Sequence, residues 1–476
     1  MKKIILILLV LVAASSCRKL EDLNVNTKDP VVVPGESLFT GAQKNLFDHM
    51  VSTNVNINIF RLIMQYWTEC TYFDESNYDL TTRTIPDNHW NILYRDILKD
   101  LQESTKIVGE TTYGMDGDEG QGKKNRLAII DVMAVYAWSV LVETFGNVPY
   151  SEALNLEKPL PKYDDALTIY KDLITRLNTD LGNMDANYVS FGVADNMYQG
   201  DVASWIKFAN SLKLKLGIVL SDVDAEYARS VVVQATPGAF TSNADNGKFV
   251  YGSAVPNTNP LYEDLVASGR KDFVISNTVV DLMNTLNDPR RPLFMTMNGG
   301  VYVGGVNGAS NDFTAFSHVA DAIQAPEFPA TILDYSEIEF YLAEAVERGF
   351  AVGGTAASHY ENAIRASITD WGGSDGDATT YLAQAAVAYA TAAGDYKQKI
   401  GMQAYLGLYN RGFEAWTEFR RLDYPQLVAP PDAESVLPLR YWYPITEQTL
   451  NGANWEAAAE AIGGDFVSTK LFFDKY

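Results

Sequence analysis

The stretch Val132–Val142 (VMAVYAWSVLV) is apolar almost without a break. A surface helix shows one apolar stripe, whereas a segment apolar on every side has to be wrapped by other elements. Buried strands run to about 4–8 residues, so this longer run reads as a helix. It is also shorter than the ~20 apolar residues that span a bilayer. Gly146, Asn147 and Pro149 follow, placed where glycine ends a helix and proline stops it from continuing. Asn125–Ala153 therefore predicts a central helix and its stop, in a mainly α protein whose other helices surround this one.

The flanking patterns supply those helices. Leu38–Trp67 reads as helical, with Leu46, Ile57, Phe60, Leu62, Ile63 and Tyr66 as apolar positions, and His89–Leu101 sets Trp90, Leu93, Tyr94, Ile97, Leu98 and Leu101 on one face. Lys162–Leu181 and Asp201–Val219 repeat with a period of ~3.6 residues. Tyr335–Phe350 and Ala356–Trp371 form a helix pair joined by a Gly-rich turn, similar to a tetratricopeptide repeat. Small Ala343 and Ala345 allow close approach, Gly349 ends the first helix, and Tyr360, Ala363 and Ile364 face back. Tyr163, Ala166, Ile169 and Tyr170 make the helix after the central one its partner in the same way. Such pairs cannot bury their apolar faces alone and must stack. Segments 185–200 and 240–330 read as loop insertions on this scaffold. The glycines at 299, 300, 304, 305 and 308 make no phosphate loop, because no G-x-x-x-x-G-K-[ST] is present; paired strands or irregular loop are expected there.

At the N-terminus Lys2 and Lys3 precede apolar Ile4–Val12 and small Ala13–Ser16, the pattern of a secretory signal peptide. Cys17 follows directly, and Ala14–Cys17 resembles a lipobox, in which that thiol is acylated. The expected organisation is a lipoprotein signal peptide over 1–16, a lipidated tether over 17–37 containing Pro30 and Pro34, and a single helical body over 38–476. Acyl chains at Cys17 would anchor the protein to a membrane without spanning it. Cys70 is the one other cysteine, so no internal framework of disulfides exists. Loss of residues 1–16 removes two lysines and no acid, taking the net charge from −23 to −25. That charge argues against nucleic acid, which requires a basic footprint, and against adsorption to anionic headgroups, so the lipid would have to hold the protein.

Catalytic signatures are missing. Around His49, His89, His318 and His359 there is no H-E-x-x-H, and no C-x-x-C occurs; the G-x-S-x-G match Gly372–Gly376 follows the helix predicted over Ala356–Trp371, not the strand that a nucleophile elbow requires. Cys70 reads as a small apolar residue. Of the 60 acidic residues no pair stands out as a glycosidase couple. The chain reads as a non-enzyme without cofactor. Asp116, Asp118 and Glu119 could offer carboxylates to calcium, but their spacing is not that of an EF-hand and a solvated acidic turn explains them.

Binding is better supported. A sugar presents apolar C–H faces to aromatic rings and hydroxyls to polar side chains, and ligand sites combine apolar walls with a few orienting polar groups. Thr68–Asn88 (TECTYFDESNYDLTTRTIPDN) has neither helical nor strand period and mixes both residue types. Trp67, Tyr72, Asp74, Asn77, Tyr78, Arg83 and Asn88 form the first candidate site; Asn257, Asn259 and Tyr262 form a second. Trp138, Trp205, Trp416 and Trp442 read as packing residues. Arg420, Arg421 and Arg440 read as donors to buried carbonyls or carboxylates, work that suits a guanidinium with its five N–H groups.

Taken in order, LNVNTKDP (Leu23–Pro30), FGNVPYSEA (Phe145–Ala153), YDDALTIYKDL (Tyr163–Leu173), YQGDVASWIKFANSLKLKL (Tyr198–Leu216), NDPRR (Asn287–Arg291), EFYLAEAVERG (Glu339–Gly349), KIGMQAYLGLYNRGFEAWTEFRRLDYP (Lys399–Pro425) and PLRYWYPITEQTLNGAN (Pro438–Asn454) resemble the SusD/RagB family of outer-membrane lipoproteins. The resemblance implies a helical scaffold with tetratricopeptide-like pairs at the cell surface. It also implies capture of an oligosaccharide or similar nutrient, and a SusC-like TonB-dependent transporter as partner. Ligand loops in the family often lie in this N-terminal region, and no ligand residue carries over one by one. Two readings stay beside it: a peptide ligand in place of a glycan, and an adaptor whose helices bind a protein. A glycan-cleaving enzyme would need two carboxylates facing each other ~5–9.5 Å apart.

Overall fold

The apolar stretch is the middle of a 23-residue helix, Lys123–Phe145, with Val132–Phe145 buried throughout. The structure, a computed structural model, describes residues 33–114 and 118–475. The expected signal peptide over 1–16, Cys17, LNVNTKDP and Asp116 lie outside the described residues. Along the chain the helices are α1 (Gly35–Val51), α2 (Ile85–Asn91), α3 (Lys99–Glu110), α4 (Lys123–Phe145), α5 (Ala166–Asn183), α6 (Val202–Val219), α7 (Ala225–Ala235), α8 (Asn277–Thr285), α9 (Tyr335–Glu347), α10 (Ala356–Asp370), α11 (Asp375–Leu382), α12 (Tyr396–Gly407), α13 (Gly412–Leu422) and α14 (Gly452–Ala461). The strands are β1 (Trp67–Glu69), β2 (Val148–Pro149), β3 (Tyr163–Asp164), β4 (Gly247–Phe249), β5 (Phe273–Ile275) and β6 (Ala330–Leu333). They make three antiparallel ribbons, β1–β5, β2–β3 and β4–β6. The protein is mainly α, with the insertions joined to the helical body through short strands.

From α3 to α7 each helix packs on the next, and the α9–α10 pair then returns against α6 and α12. The starts follow the sequence: Asp165 accepts from the Thr168 N–H at 2.8 Å and Asp201 from Ser204 at 3.1 Å, satisfying first-turn donors that no helical carbonyl reaches. Thr355 and Ser358 close a capping box on α10.

Three expectations need correction. The helix predicted over Leu38–Trp67 is α1 alone, followed by a turn, a short helical piece Phe60–Ile63 and β1. Asparagines break it: Asn54 Oδ1 accepts from the Asn56 N–H at 3.0 Å, while Asn58 Nδ2 donates to the carbonyls of His49 and Met50 at 2.9 and 3.1 Å. Such side chains offer the backbone an alternative to the helix ladder. Second, the 240–330 insertion contains a true helix, α8, capped by Ser276. Third, the length argument against a membrane span does not hold. Glu119–Phe145 is 27 residues long and its most apolar 18-residue window has a mean hydropathy of 1.7, enough to cross a bilayer by length and composition. Burial decides instead, since 89% of its most apolar window is covered by the rest of the protein.

A buried helix must still satisfy its last four carbonyls. In α4 the Val142 carbonyl takes the N–H of Gly146 at 2.9 Å, with Gly146 at φ +86°. The other three are met by the C-terminal part of the chain. Glu143 O accepts from Arg420 Nη1 at 2.6 Å, Thr144 O from the Tyr441 N–H at 3.1 Å, and Phe145 O from Arg440 Nη2 at 3.0 Å. Arg440 also pairs with Asp465 at 2.6 Å. Arg421 meets Glu344 at 2.5 Å and Glu418 at 3.0 Å, and Arg348 bridges Glu344 to Asp222 at 2.7 Å each. Arg411 reaches Asp334 at 2.8 Å and Glu337 at 2.5 Å, and Lys215 meets Glu337 at 3.1 Å. Burial works to raise the Glu337 carboxyl, but Arg411 and Lys215 outweigh it and hold it below its ordinary value. Trp205 and Trp416 are fully buried, as their reading as packing residues requires.

Breaking a buried ion pair by deleting one partner costs about 3–5 kcal/mol. Arg440→Leu should therefore lower the urea midpoint strongly, whereas Lys106→Ala, which breaks an exposed pair with Glu103, should leave it nearly unchanged. Equal midpoints for Arg440→Leu and the parent would refute this cap.

Candidate functional site

The β1–β5 ribbon is what creates the site. It pairs Trp67 with Ile275, Thr68 with Val274 and Glu69 with Phe273, so the unpatterned N-terminal stretch lies against the long insertion. The Cys70 N–H extends the ladder to the Asp272 carbonyl at 2.8 Å. Asn311 Nδ2 ties the Glu69 carbonyl at 3.0 Å. Between the two segments opens a cleft of about 240 Å³, lined by Asn54, Asn56, Tyr72 and Arg83 on one side and Asp264, Arg270 and Asp272 on the other, with Glu69 and Phe273 also in its lining.

The backbone here is unusual. Gln65, Tyr72, Tyr78 and Thr84 all have positive φ, at 53°, 58°, 66° and 49°. A non-glycine residue held there costs of order 1–3 kcal/mol, and such strain concentrates at ligand sites. The surroundings hold it: Ser76 donates from N and Oγ to Glu69 Oε2, both at 2.9 Å, and Asn77 Nδ2 donates to the carbonyls of Phe73 and Gly308 at 3.0 and 2.7 Å.

Of the seven residues in the first candidate cluster, Tyr72 (70% exposed), Asp74 and Arg83 reach the surface. Arg83 Nε donates to the buried carboxylate of Glu75. Asn88, half-buried, braces the rim through bonds to the carbonyls of Asn56 at 2.9 Å and Arg83 at 3.1 Å. Three are sealed off. Trp67 donates from Nε1 to Tyr409 Oη at 2.9 Å beneath the Arg61 guanidinium, and Tyr78 Oη accepts from Gln65 Nε2 at 3.0 Å. Asn77 is buried with its carbonyl taken by the Glu434 N–H. Trp67 and Tyr78 are closed off by packing, with no open ring face and their polar groups bonded within the protein, while buried Asn77 uses its Nδ2 for the two carbonyls and leaves its Oδ1 without a partner among the described residues.

The second cluster separates in the same way. Asn259 is fully buried, capping the turn at Pro260 by accepting from the Leu261 N–H at 2.8 Å and donating to the Phe328 carbonyl at 2.6 Å. Asn257 is exposed and Tyr262 half-buried, and neither lines the cleft. Asn54, Asn56, Asp264, Arg270 and Asp272 are cleft residues that the sequence reading did not single out. The closely spaced asparagines of the 51–58 segment were a visible sign, but a pairing across some 200 residues leaves no local pattern. Arg270 meets Asp272 at 2.5 Å, and Thr53 Oγ1 donates to Asp264 Oδ2 at 2.7 Å.

The cleft is polar, with both charge signs and one exposed aromatic ring. That set can hold hydroxyls and amides and can stack one face of a ring. Buried Cys70 is no nucleophile, since burial, helped by Asp272, pushes its thiol up to about 11. Among the described residues no cluster of His, Cys, Asp or Glu has the geometry to hold a metal ion. Glu119 instead accepts from the Tyr113 N–H at 2.6 Å and pairs with Lys123 at 2.7 Å.

Comparison with known proteins follows the fold. A SusD-like family, described as starch-binding and associating with the outer membrane, matches residues 27–444. A chitin-binding protein of known structure superposes with a TM-score of 0.79 at 24% identity, covering 93% of this chain and 100% of its own. A SusD homologue from Bacteroides uniformis gives 0.78 at 23% identity over 92% and 99%. A chitin-binding SusD homologue from Flavobacterium johnsoniae gives 0.75 at 21% over 92% and 98%. No match is found among curated proteins. At these identities the structural likeness concerns the fold.

One titration in the cleft is testable. Burial, reinforced by the adjacent Glu75 carboxyl, pushes Glu69 up to about 9, so the folded protein holds it protonated at neutral pH. Its contribution to stability is complete below the unfolded value of 4.5 and is lost as pH rises through about 9. Glu69→Gln imitates the protonated acid and removes this titration. Urea midpoints measured from about pH 6 to about pH 9 should fall less in the variant than in the parent; parallel curves would contradict the assignment.

Proposed function

The chain belongs to the SusD-like family, and from that premise we propose that it is a lipid-anchored protein of the outer cell surface. In this reading it captures oligosaccharides and delivers them to a SusC-like TonB-dependent transporter. The observation that carries it is the polar cleft at the β1–β5 seam, where exposed Tyr72 stands over Asn54, Asn56, Arg83, Asp264, Arg270 and Asp272. An exposed phenol ring offers a stacking face to a sugar, and the surrounding amides, carboxylates and guanidinium groups are donors and acceptors for its hydroxyls. Two of the superposable proteins are described as chitin-binding, which favours a glycan as cargo. A peptide is the second reading, favoured by the two arginines and two aspartates that line the cleft.

Membrane attachment through Cys17 explains how a protein of net charge −25 without its first 16 residues stays at a surface whose headgroups would repel it. Binding without chemistry accords with the absence of a catalytic constellation in the sequence. The helical stack serves in this reading as a rigid support for loops.

Two experiments test the proposal. Titration calorimetry of the chain from Arg18 onward, against chito- and malto-oligosaccharides and against oligopeptides, should give binding to a saccharide that Tyr72→Ala weakens about ten-fold, the equivalent of losing ~1.4 kcal/mol of stacking. Undiminished affinity in Tyr72→Ala would move the site, and binding to peptides alone would replace the glycan reading. In the full-length protein, Cys17→Ala should leave the fold intact and shift the protein from the membrane to the soluble fraction. Retention in the membrane fraction would refute the anchor.

A further inference from the structure

A larger cleft lies in the insertion and shares no lining residue with the first. It encloses about 580 Å³ between the segment around Met295, the segment Ala320–Ile323, and Trp371 at the end of α10. That volume falls within the ~300–1,000 Å³ usual for small-molecule sites. Its walls are held by backbone bonds: the Thr296 N–H donates to the His318 carbonyl at 2.9 Å, and the Ala320 N–H to the Phe294 carbonyl at 3.0 Å. Both segments are therefore one frame rather than two loose loops.

Trp371 is fixed from behind. Phe294 meets it edge-on at 4.7 Å, Tyr409 lies at 5.9 Å and 61°, and Phe328 sits beside it at 5.9 Å with a 32° tilt. Its indole is half-buried, so part of the ring remains open. Tyr302 supplies another half-buried ring. An aromatic ring immobilised by packing loses little conformational freedom when a ligand stacks on it.

The polar groups are few and specific. Asp370 accepts from Lys248 at 2.6 Å and Asn246 at 3.1 Å, both on Oδ1, which leaves Oδ2 open among the described residues. Asp321 is exposed. Thr296 Oγ1 accepts from the His318 N–H at 3.1 Å, so its own hydroxyl proton remains to be donated. Two carboxylate acceptors and a hydroxyl donor line the cleft with no arginine or lysine among the described lining residues. The first cleft, by contrast, carries Arg83 and Arg270. Lys248 offsets the charge of Asp370, and Arg291 lies 5.4 Å from the Tyr302 ring centroid, so an anionic ligand would meet the like charge of exposed Asp321, whereas an uncharged ring rich in hydroxyls would find acceptors, a donor and an aromatic face.

We propose that this cleft is a second saccharide site, which takes one neutral sugar ring stacked on Trp371 with its hydroxyls at Thr296, Asp321 and Asp370. The proposal rests on the glycan-capture reading and extends it. A polymer long enough to reach from one cleft to the other would make its second contact intramolecularly, with an effective concentration set by the intervening sugar chain.

The test is calorimetric stoichiometry with the chain from Arg18 onward, using chitotetraose and maltotetraose as neutral probes and tetragalacturonate as the anionic control. The expected result is two sites for a neutral probe, one of them weakened at least about ten-fold by Asp321→Lys and by Tyr302→Ala. Asp321 is exposed, so its replacement spares the fold; Trp371→Ala is avoided as the sole variant because three aromatic rings pack on that indole. A single site weakened by Asp321→Lys and untouched by Tyr72→Ala would also uphold this cleft and count against the first. A single site lost in Tyr72→Ala and indifferent to Asp321→Lys and Tyr302→Ala would overturn the second site while glycan capture stands. Tetragalacturonate bound as well as the neutral probes, with sensitivity to Asp321→Lys, would overturn the neutral class. No binding of any saccharide by the parent chain would overturn both readings together.

Discussion

The end of α4 imposes the condition on which the rest of the structure depends. A helix wrapped on all sides leaves no water for its last four carbonyls, and each unpaired buried carbonyl costs free energy comparable to a lost hydrogen bond. Gly146 satisfies one locally; Arg420, Tyr441 and Arg440 satisfy the other three from nearly 300 residues further on. The C-terminal part of the chain is therefore obliged to return to the middle of the molecule. It brings α13 with it, and Arg411 and Arg421 of that segment then meet carboxylates of α9. One requirement of the central helix thereby closes the circuit between the first half of the stack and the last.

That closure separates support from recognition. The helices hold one another through apolar contacts and buried ion pairs, and the insertions join that core at points such as Phe249, Phe294 and the buried Arg290–Asp288 pair while presenting other residues to the surface. Short ribbons also hold them: β1–β5 seats the N-terminal stretch on the insertion, and bonds between the segments around Met295 and Val319 build the second frame. Four left-handed non-glycine residues between Gln65 and Thr84 persist in that setting. Buried polar bonds from Glu69, Ser76 and Asn77 brace this stretch, and of the four residues Tyr72 faces the cleft while Gln65 and Tyr78 lie beneath the surface.

Much of the scaffold was legible. The 3.6-residue period and the stop at Gly146 located α4, α5 and α6 to within a few residues, and small Ala343 and Ala345 marked the α9–α10 contact. Arg420, Arg421 and Arg440 were read as donors to buried carbonyls and carboxylates, and they are. Leu38–Trp67 misled because its apolar residues continue past Val51 while its asparagines turn the backbone. Which residues of the Thr68–Asn88 stretch are exposed was not legible residue by residue. Trp67 and Tyr72 are equally aromatic in sequence, and only the arrival of Tyr409, some 340 residues away, decides that one is buried. Arg270 and Asp272 carry no local signal, because what makes them neighbours of Tyr72 is the strand pairing itself.

The central claim is that ligand is taken by loops at the β1–β5 seam on a helical body that stays as it is. Amide hydrogen exchange with and without a saturating oligosaccharide tests this most directly. The account predicts slowed exchange over residues 53–56, 69–84 and 264–273, with α4 and α9 unchanged. Protection confined to the helices of the α9–α10 pair, with the seam unaffected, would contradict it.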